Sequence, residues 1–137
     1  MSHQYLLDTN VLADLARNPA GAAAQAIAEV GETSVCTSII VACEVHYGVA
    51  KRASPKLAER MNQILGSIDV LTNLPEGIGA HYGRIRTRLE LAGETIGPNN
   101  LLIAAHACAA DLTVVTGNER EFRRVPGLRV ENWLAQW

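Results

Sequence analysis

Four polar positions in this chain stand where chemistry can be done. Asp8 follows the short apolar run Tyr5-Leu6-Leu7. Glu44 lies among Ile40, Val41, Cys43 and Val45, early in a helical stretch that follows Cys36-Thr37-Ser38. Asn100 precedes the apolar segment Leu101 to Ala110, and Asn118 to Glu121 follow the apolar run Thr113 to Thr116. A carboxylate in apolar surroundings is costly unless it is paired or bound to a cation. Glu44 is therefore a better functional candidate than Glu59 or Glu90, whose neighbours are basic or polar. Two carboxylates about 4 Å apart repel by roughly 4 kcal/mol at an effective dielectric near 20. Either one stays protonated or a cation is shared, and oxygen-only ligands favour Mg²⁺ or Mn²⁺. A carboxylate-bound Mg²⁺ that keeps its waters suits phosphodiester hydrolysis. Asp8 also has a simpler reading as a helix cap, because Asp8-Thr9-Asn10 introduces the helical pattern Val11 to Arg17.

The elements that must position these groups alternate. Short apolar runs at Tyr5–Asp8, Ser34–Thr37, Asp69–Leu71, Thr113–Thr116 and Arg129–Glu131 read as strands. Helical patterns fill the intervals: Ala20–Val30 after Asn18-Pro19, Ile40–Arg52, Pro55–Ser67, Glu76–Ala92 before Gly93, and Leu101–Ala110. Ile78, Tyr82, Ile85 and Leu89 recur at helical spacing. Asn99 and Asn100 are the candidate caps of the last of these helices. Such alternation implies an α/β fold with a parallel sheet of about five strands covered by helices. Carboxylates at the C-terminal ends of strands then share the edge where open α/β sheets bind ligands.

Composition bounds the rest. The 137 residues, 48% of them apolar, suffice for one domain spanning 1–137 with a sizeable core. The net charge of −2 excludes nucleic-acid binding by bulk charge. Arg84, Arg86, Arg88, Arg120, Arg123, Arg124 and Arg129 still give the second half a local positive character. Cys36, Cys43 and Cys108 form no CxxC pair and read as small buried hydrophobes in a reducing compartment. His3, His46, His81 and His106 are scattered, which argues against zinc. No signal peptide or membrane span is apparent, so a cytoplasmic protein is expected.

The motifs Leu6-Leu7-Asp8-Thr9-Asn10, Glu44-Val45-His46-Tyr47-Gly48, Ile96-Gly97-Pro98-Asn99-Asn100-Leu101-Leu102-Ile103-Ala104-Ala105-His106-Ala107 and Val115-Thr116-Gly117-Asn118-Glu119-Arg120-Glu121-Phe122 occur in one order. Together with the closing stretch Val125 to Trp133, they resemble the PIN-domain toxins of VapBC toxin–antitoxin pairs over nearly the whole chain. The resemblance implies a three-layer PIN-like fold and a Mg²⁺-dependent endoribonuclease. It also implies a homodimer and inhibition by a cognate VapB-type antitoxin, in some cases with tRNA as the target. On these positions Asp8 becomes a metal ligand and Glu44 a second acid near the metal, direct or through water. Glu121 becomes a further acid at the rim, and Thr9, Ser38, Thr116 and Asn118 become polar helpers for water or phosphate. Arg84, Arg86 and Arg88 are weaker candidates for RNA contact, since alternate helix positions cannot all face one way.

One departure matters. The family pattern has Asp where Asn100 stands. Its amide oxygen can ligate Mg²⁺ but brings no charge and cannot act as a base. The exchange is near-isosteric, of the kind chosen to silence a toxic nuclease, so an impaired enzyme is expected. The alternative is a catalytically inactive PIN-fold module that binds RNA or antitoxin. A phospho-acceptor domain of similar architecture needs a central acceptor Asp and a late Lys; Asp69 only begins its strand, and no Lys follows Lys56. No Gly-rich phosphate loop supports nucleotide binding.

Overall fold

The computed structural model describes residues 2–134. Five strands form one sheet: β1 (Tyr5–Leu7), β2 (Val35–Ser38), β3 (Asp69–Leu71), β4 (Thr113–Val115) and β5 (Val130–Glu131). Their order is β3-β2-β1-β4-β5, and every pairing is parallel. The helices between them are α1 (Thr9–Arg17), α2 (Ala22–Val30), α3 (Ile39–Arg52), α4 (Pro55–Ser67), α5 (Ile78–Leu91), α6 (Pro98–Ala109) and α7 (Glu119–Phe122). The expected α/β sheet of five parallel strands flanked by helices is therefore present.

Central position explains the short apolar strands. Leu6, Leu7, Cys36, Val114 and Val115 are fully buried, as strands covered on both faces must be. They pack with Val11 and Leu12 of α1, Val41 of α3, Ile103 to Ala105 of α6 and Phe122 of α7. Small side chains on α6 let it lie deep in the core, where Ala104, Ala105 and Ala107 have no exposed surface.

Several boundaries differ from the sequence reading, each for a local reason. α2 begins at Ala22 behind Gly21, because Asn18 to Gly21 form a turn closed by the Gly21 N–H on the Asn18 carbonyl. α6 begins at Pro98 with Gly97 as its N-cap residue. Proline lacks the N–H that the first helical turn leaves unused, so it suits that position. Asn99 and Asn100 therefore lie inside the first turn, and neither caps it. α7 was not anticipated as a helix; its four residues are too few for a periodicity to show. The cysteines are not uniformly buried either: Cys36 is, Cys108 is half-buried, and Cys43 is exposed on the outer side of α3.

Candidate active site

The order β3-β2-β1-β4-β5 places a topological switch between β1 and β4. The chain leaves β1 towards β2 and β3, then returns to the other side of β1. Crevices beyond the carboxyl ends of strands at such a point are where open α/β sheets bind ligands. Asp8 follows β1 and Thr116 follows β4, so both stand at this crevice.

Asp8 occupies the N-cap position of α1, and its carbonyl accepts from the Val11 and Leu12 N–H groups. Its side chain makes no cap bond. The carboxylate turns instead into the crevice, where Oδ2 accepts from Thr116 Oγ1 at 2.7 Å and from Asn10 Nδ2 at 3.3 Å. Thus the backbone of Asp8 caps the helix while its carboxylate stays available. Only 4% of the residue is exposed. Burial holds its pKa above the ordinary carboxylate value, opposed by the Thr116 hydroxyl and the Thr9 N–H and assisted by the nearby charge of Glu44.

Glu44 projects from the second turn of α3. Its Oε1 accepts from Thr9 Oγ1 at 2.7 Å and its Oε2 from Asn99 Nδ2 at 3.3 Å. The residue is partly exposed, not buried as its apolar neighbours suggest. Val41 and Val45 face inward and Cys43 faces solvent, while Glu44 lines the cleft wall. Glu121, from α7, accepts through Oε1 from the Gly97 N–H at 2.8 Å and from Asn100 Nδ2 at 3.1 Å. These donors, with the Asn118 side chain and the charge of Arg124, hold its pKa below the usual carboxylate range. The Asn118 N–H in turn donates to Thr116 Oγ1 at 2.9 Å.

These contacts close a ring. Asp8 joins Thr9 through the chain, Thr9 bonds Glu44, and Glu44 bonds Asn99, which adjoins Asn100. Asn100 bonds Glu121, Glu121 lies beside Asn118, the Asn118 N–H bonds Thr116, and Thr116 returns to Asp8. Of the residues expected from sequence, Asp8, Thr9, Glu44, Asn100, Thr116, Asn118 and Glu121 meet here. Ser38 does not: it is fully buried, its Oγ accepts from the Ile40 N–H as the cap of α3, and it bonds His106 Nδ1 at 2.8 Å. It braces the helix that carries Glu44 from behind. Arg86 is engaged with Glu90 and Tyr82. Arg84 lines a separate hollow with His81, Cys108 and Arg129, at the end of α6 remote from Asn100.

Two contributors were missed. Asn10 ties the loop after β4 to the loop after β1, donating to Asp8 and accepting from the Gly117 N–H at 2.8 Å. Asn99 holds Glu44. Both have short amide side chains beside an expected site residue, a signal shared with ordinary turns and caps.

The donor set is all oxygen: the Asp8 and Glu44 carboxylates, the Asn100 amide oxygen and the Glu121 rim. It fits a hard divalent cation. Among the described residues no three His, Cys, Asp or Glu side chains cluster closely enough to hold an ion. A cation here would rely on Asp8, Glu44 and Asn100 and keep several waters, as Mg²⁺ does.

From Thr9 and Glu44 a groove of about 460 Å³ runs between α1, α3 and α4. Ala13, Ala16, Val45, Val49, Leu57 and Met61 line it, and Arg17, Arg52, Lys56 and Arg60 stand around it.

A profile for the PIN domain matches residues 5–128. The chain is 34% identical to ribonuclease VapC2 of Rickettsia felis over 131 residues, covering 94% of this chain and 97% of that protein. The chain belongs to the VapC group of the PIN-domain family. It is also 32% identical to the tRNA(fMet)-specific endonuclease VapC of Shigella flexneri, covering 95% of this chain and 98% of that one. The crystal structure of VapBC2 from Rickettsia felis bound to a promoter DNA fragment contains a similar chain. Its TM-score is 0.85 at 32% identity, over 97% of this chain and 99% of that one. PIN-domain ribonucleases are in general dependent on a divalent metal. Among the described residues, no helix is long and apolar enough to cross a membrane.

Proposed function

We propose that this protein is the toxin of a type II toxin–antitoxin system, a Mg²⁺-dependent endoribonuclease whose activity is reduced by Asn100. The observation that carries the reading is the meeting of Asp8 and Glu44 at the β1–β4 switch point, inside a ring of hydrogen-bonded polar groups. Asp8, Glu44 and the Asn100 amide oxygen would hold the ion, with Mn²⁺ as a substitute. Mg²⁺ held there would neutralise charge at the scissile phosphate and activate a water. Thr116 and Asn10 fix the Asp8 carboxylate through two donors. Thr9 and Asn99 do the same for Glu44. Asn118 and Glu121 form the polar rim against which an RNA phosphate and its waters would rest. Asn100 offers neither charge nor a base, so turnover is slow.

The relative from Shigella flexneri is named for cleavage of tRNA(fMet), which makes a structured tRNA the first substrate to test. The partner is a VapB-type antitoxin, and the groove beside Glu44 is its seat. Its floor is apolar, and Arg17, Arg52, Lys56 and Arg60 around it would meet acidic side chains of the antitoxin. A cytoplasmic homodimer, alone or within a larger toxin–antitoxin assembly, completes the reading.

Cleavage of tRNA by the chain and by Asn100→Asp, with Mg²⁺ and with chelator, tests it. The substitution is expected to raise Mg²⁺-dependent cleavage sharply. A variant that binds metal and RNA yet cleaves no faster than background sinks the enzyme reading. Asn100 favours a second reading, an inactive module that binds RNA or antitoxin. Under it, alanine at Asp8 and Glu44 changes stability but leaves binding and cellular toxicity intact.

A further inference from the structure

We propose that Asn99 and Asn100 are positioning residues that clamp Glu44 and Glu121 by amide N–H donation, so that the acid ring stands assembled without a cation. The inference rests on the reading of this cleft as a cation-dependent nuclease centre and says how this chain departs from an all-acid one. Adjacent helical residues point about 100° apart. The first turn of α6 therefore sends one amide to α3 and the other to α7. Asn99 Nδ2 reaches Glu44 Oε2 at 3.3 Å, and Asn100 Nδ2 reaches Glu121 Oε1 at 3.1 Å.

The direction of both bonds is fixed by chemistry. An ionised carboxylate only accepts, so the NH₂ end of each amide must face it. The Gly97 N–H, 2.8 Å from the same Glu121 oxygen, completes that half of the clamp. A carboxylate at position 100 could not donate. It would set two anionic acceptors side by side, a contact that is favourable only with a cation or a proton between them. With asparagine the contact is attractive as it stands. The consequence is a trade. The site stays ordered in the absence of metal, and it binds metal less tightly, because one charge is missing and Glu121 is already satisfied.

The test uses the full chain, Mn²⁺ as the probe, and two readouts independent of RNA: melting temperature and calorimetric Mn²⁺ affinity at neutral pH. In chelator, Asn100→Asp is expected to melt about 3–6 °C below the unaltered chain. Mn²⁺ should narrow that gap, and the variant should bind Mn²⁺ about tenfold tighter. Asn99→Ala should move affinity the other way, by a few-fold, because Glu44 loses one of its two donors; Asn99→Gln should recover part of it. A merely structural role would lower melting without these opposed changes in affinity.

Equal melting of the unaltered chain and Asn100→Asp in chelator overturns the clamp. So does measurable Mn²⁺ binding that neither substitution alters. If Asn100→Asp is unfolded in chelator, folding on addition of Mn²⁺ supports the proposal, and failure to fold with Mn²⁺ overturns it. A melting gap in chelator, with no Mn²⁺ binding by any variant, keeps the clamp but removes the cation-centre reading under Proposed function.

Discussion

Replacing Thr116 by valine keeps the shape of a fully buried side chain and removes one hydroxyl. That hydroxyl donates to Asp8 Oδ2 at 2.7 Å and accepts from the Asn118 N–H at 2.9 Å and from Asn10 Nδ2 at 3.3 Å. The bond to Asp8 is charge-assisted when the carboxylate is ionised, a class of contact worth about 1.5–3 kcal/mol. The Asn118 N–H is left to find another partner, which adds about 1 kcal/mol. The sum is about 3 kcal/mol, or about 10 °C in melting temperature for a chain of this size.

Urea unfolding of Thr116→Val, with Thr116→Ser as the control that keeps the hydroxyl, measures it. The serine variant should lose only about 1 kcal/mol, for its missing methyl. The deficit of the valine variant should also widen with pH. Burial already raises the Asp8 pKa, and losing the Thr116 donor raises it further. A carboxyl with a raised pKa contributes stability that is present below its unfolded value and lost as pH rises through the folded one. A valine variant as stable as the serine variant, with no pH dependence in the difference, refutes the claim that Thr116 anchors Asp8.

Three further outcomes follow from the same geometry. His106 is almost fully buried, and burial lowers its pKa; its stability contribution is complete above the unfolded histidine value and declines as pH falls below it. Urea titrations across that range should show a slope of up to about 1.4 kcal/mol per pH unit that His106→Leu removes, and an unchanged slope would place the titration elsewhere. Charge reversal at Arg52 and Arg60 should weaken antitoxin binding about tenfold at low salt, with little effect at high salt; equal affinities at low salt would exclude these side chains from the interface. A thiol reagent should label exposed Cys43 first, whereas Cys36, pushed up to about 12 by burial and the nearby Asp69 charge, should react only on unfolding. Labelling of Cys36 at the Cys43 rate would contradict its place in the core.

The sheet was legible because β1, β2 and β4 are short stretches built around Leu6-Leu7, Val35-Cys36 and Val114-Val115, apolar pairs that parallel strands buried on both faces require. The strand ends were legible within a residue, since Asp8, Ser38 and Thr116 each stop an apolar run. The acids were legible by type and position, but their partners were not. Nothing in local spacing says that Asn99 reaches Glu44, 55 residues earlier, or that Thr116 holds Asp8 across 108 residues. Those contacts exist only once the β1–β4 pairing forms and α3 and α6 meet. The burial of Glu44 was overestimated for a related reason. Val45, the next residue, turns about 100° from Glu44 into the core, and Cys43 turns out to solvent, so adjacent apolar residues do not report on the cleft. Ser38 shows the converse: a hydroxyl at a strand end can turn inward to cap a helix and meet a histidine.

Asp8 and Glu44 are the proposed cation centre at the switch point of the sheet. Anomalous scattering from crystals soaked in Mn²⁺ tests it most directly. A peak is expected within coordination distance of an Asp8 carboxylate oxygen, with Glu44 bound directly or through water and Asn100 contributing at most its amide oxygen. Saturating Mn²⁺ that leaves no peak beside Asp8, or places it away from both acids, contradicts it.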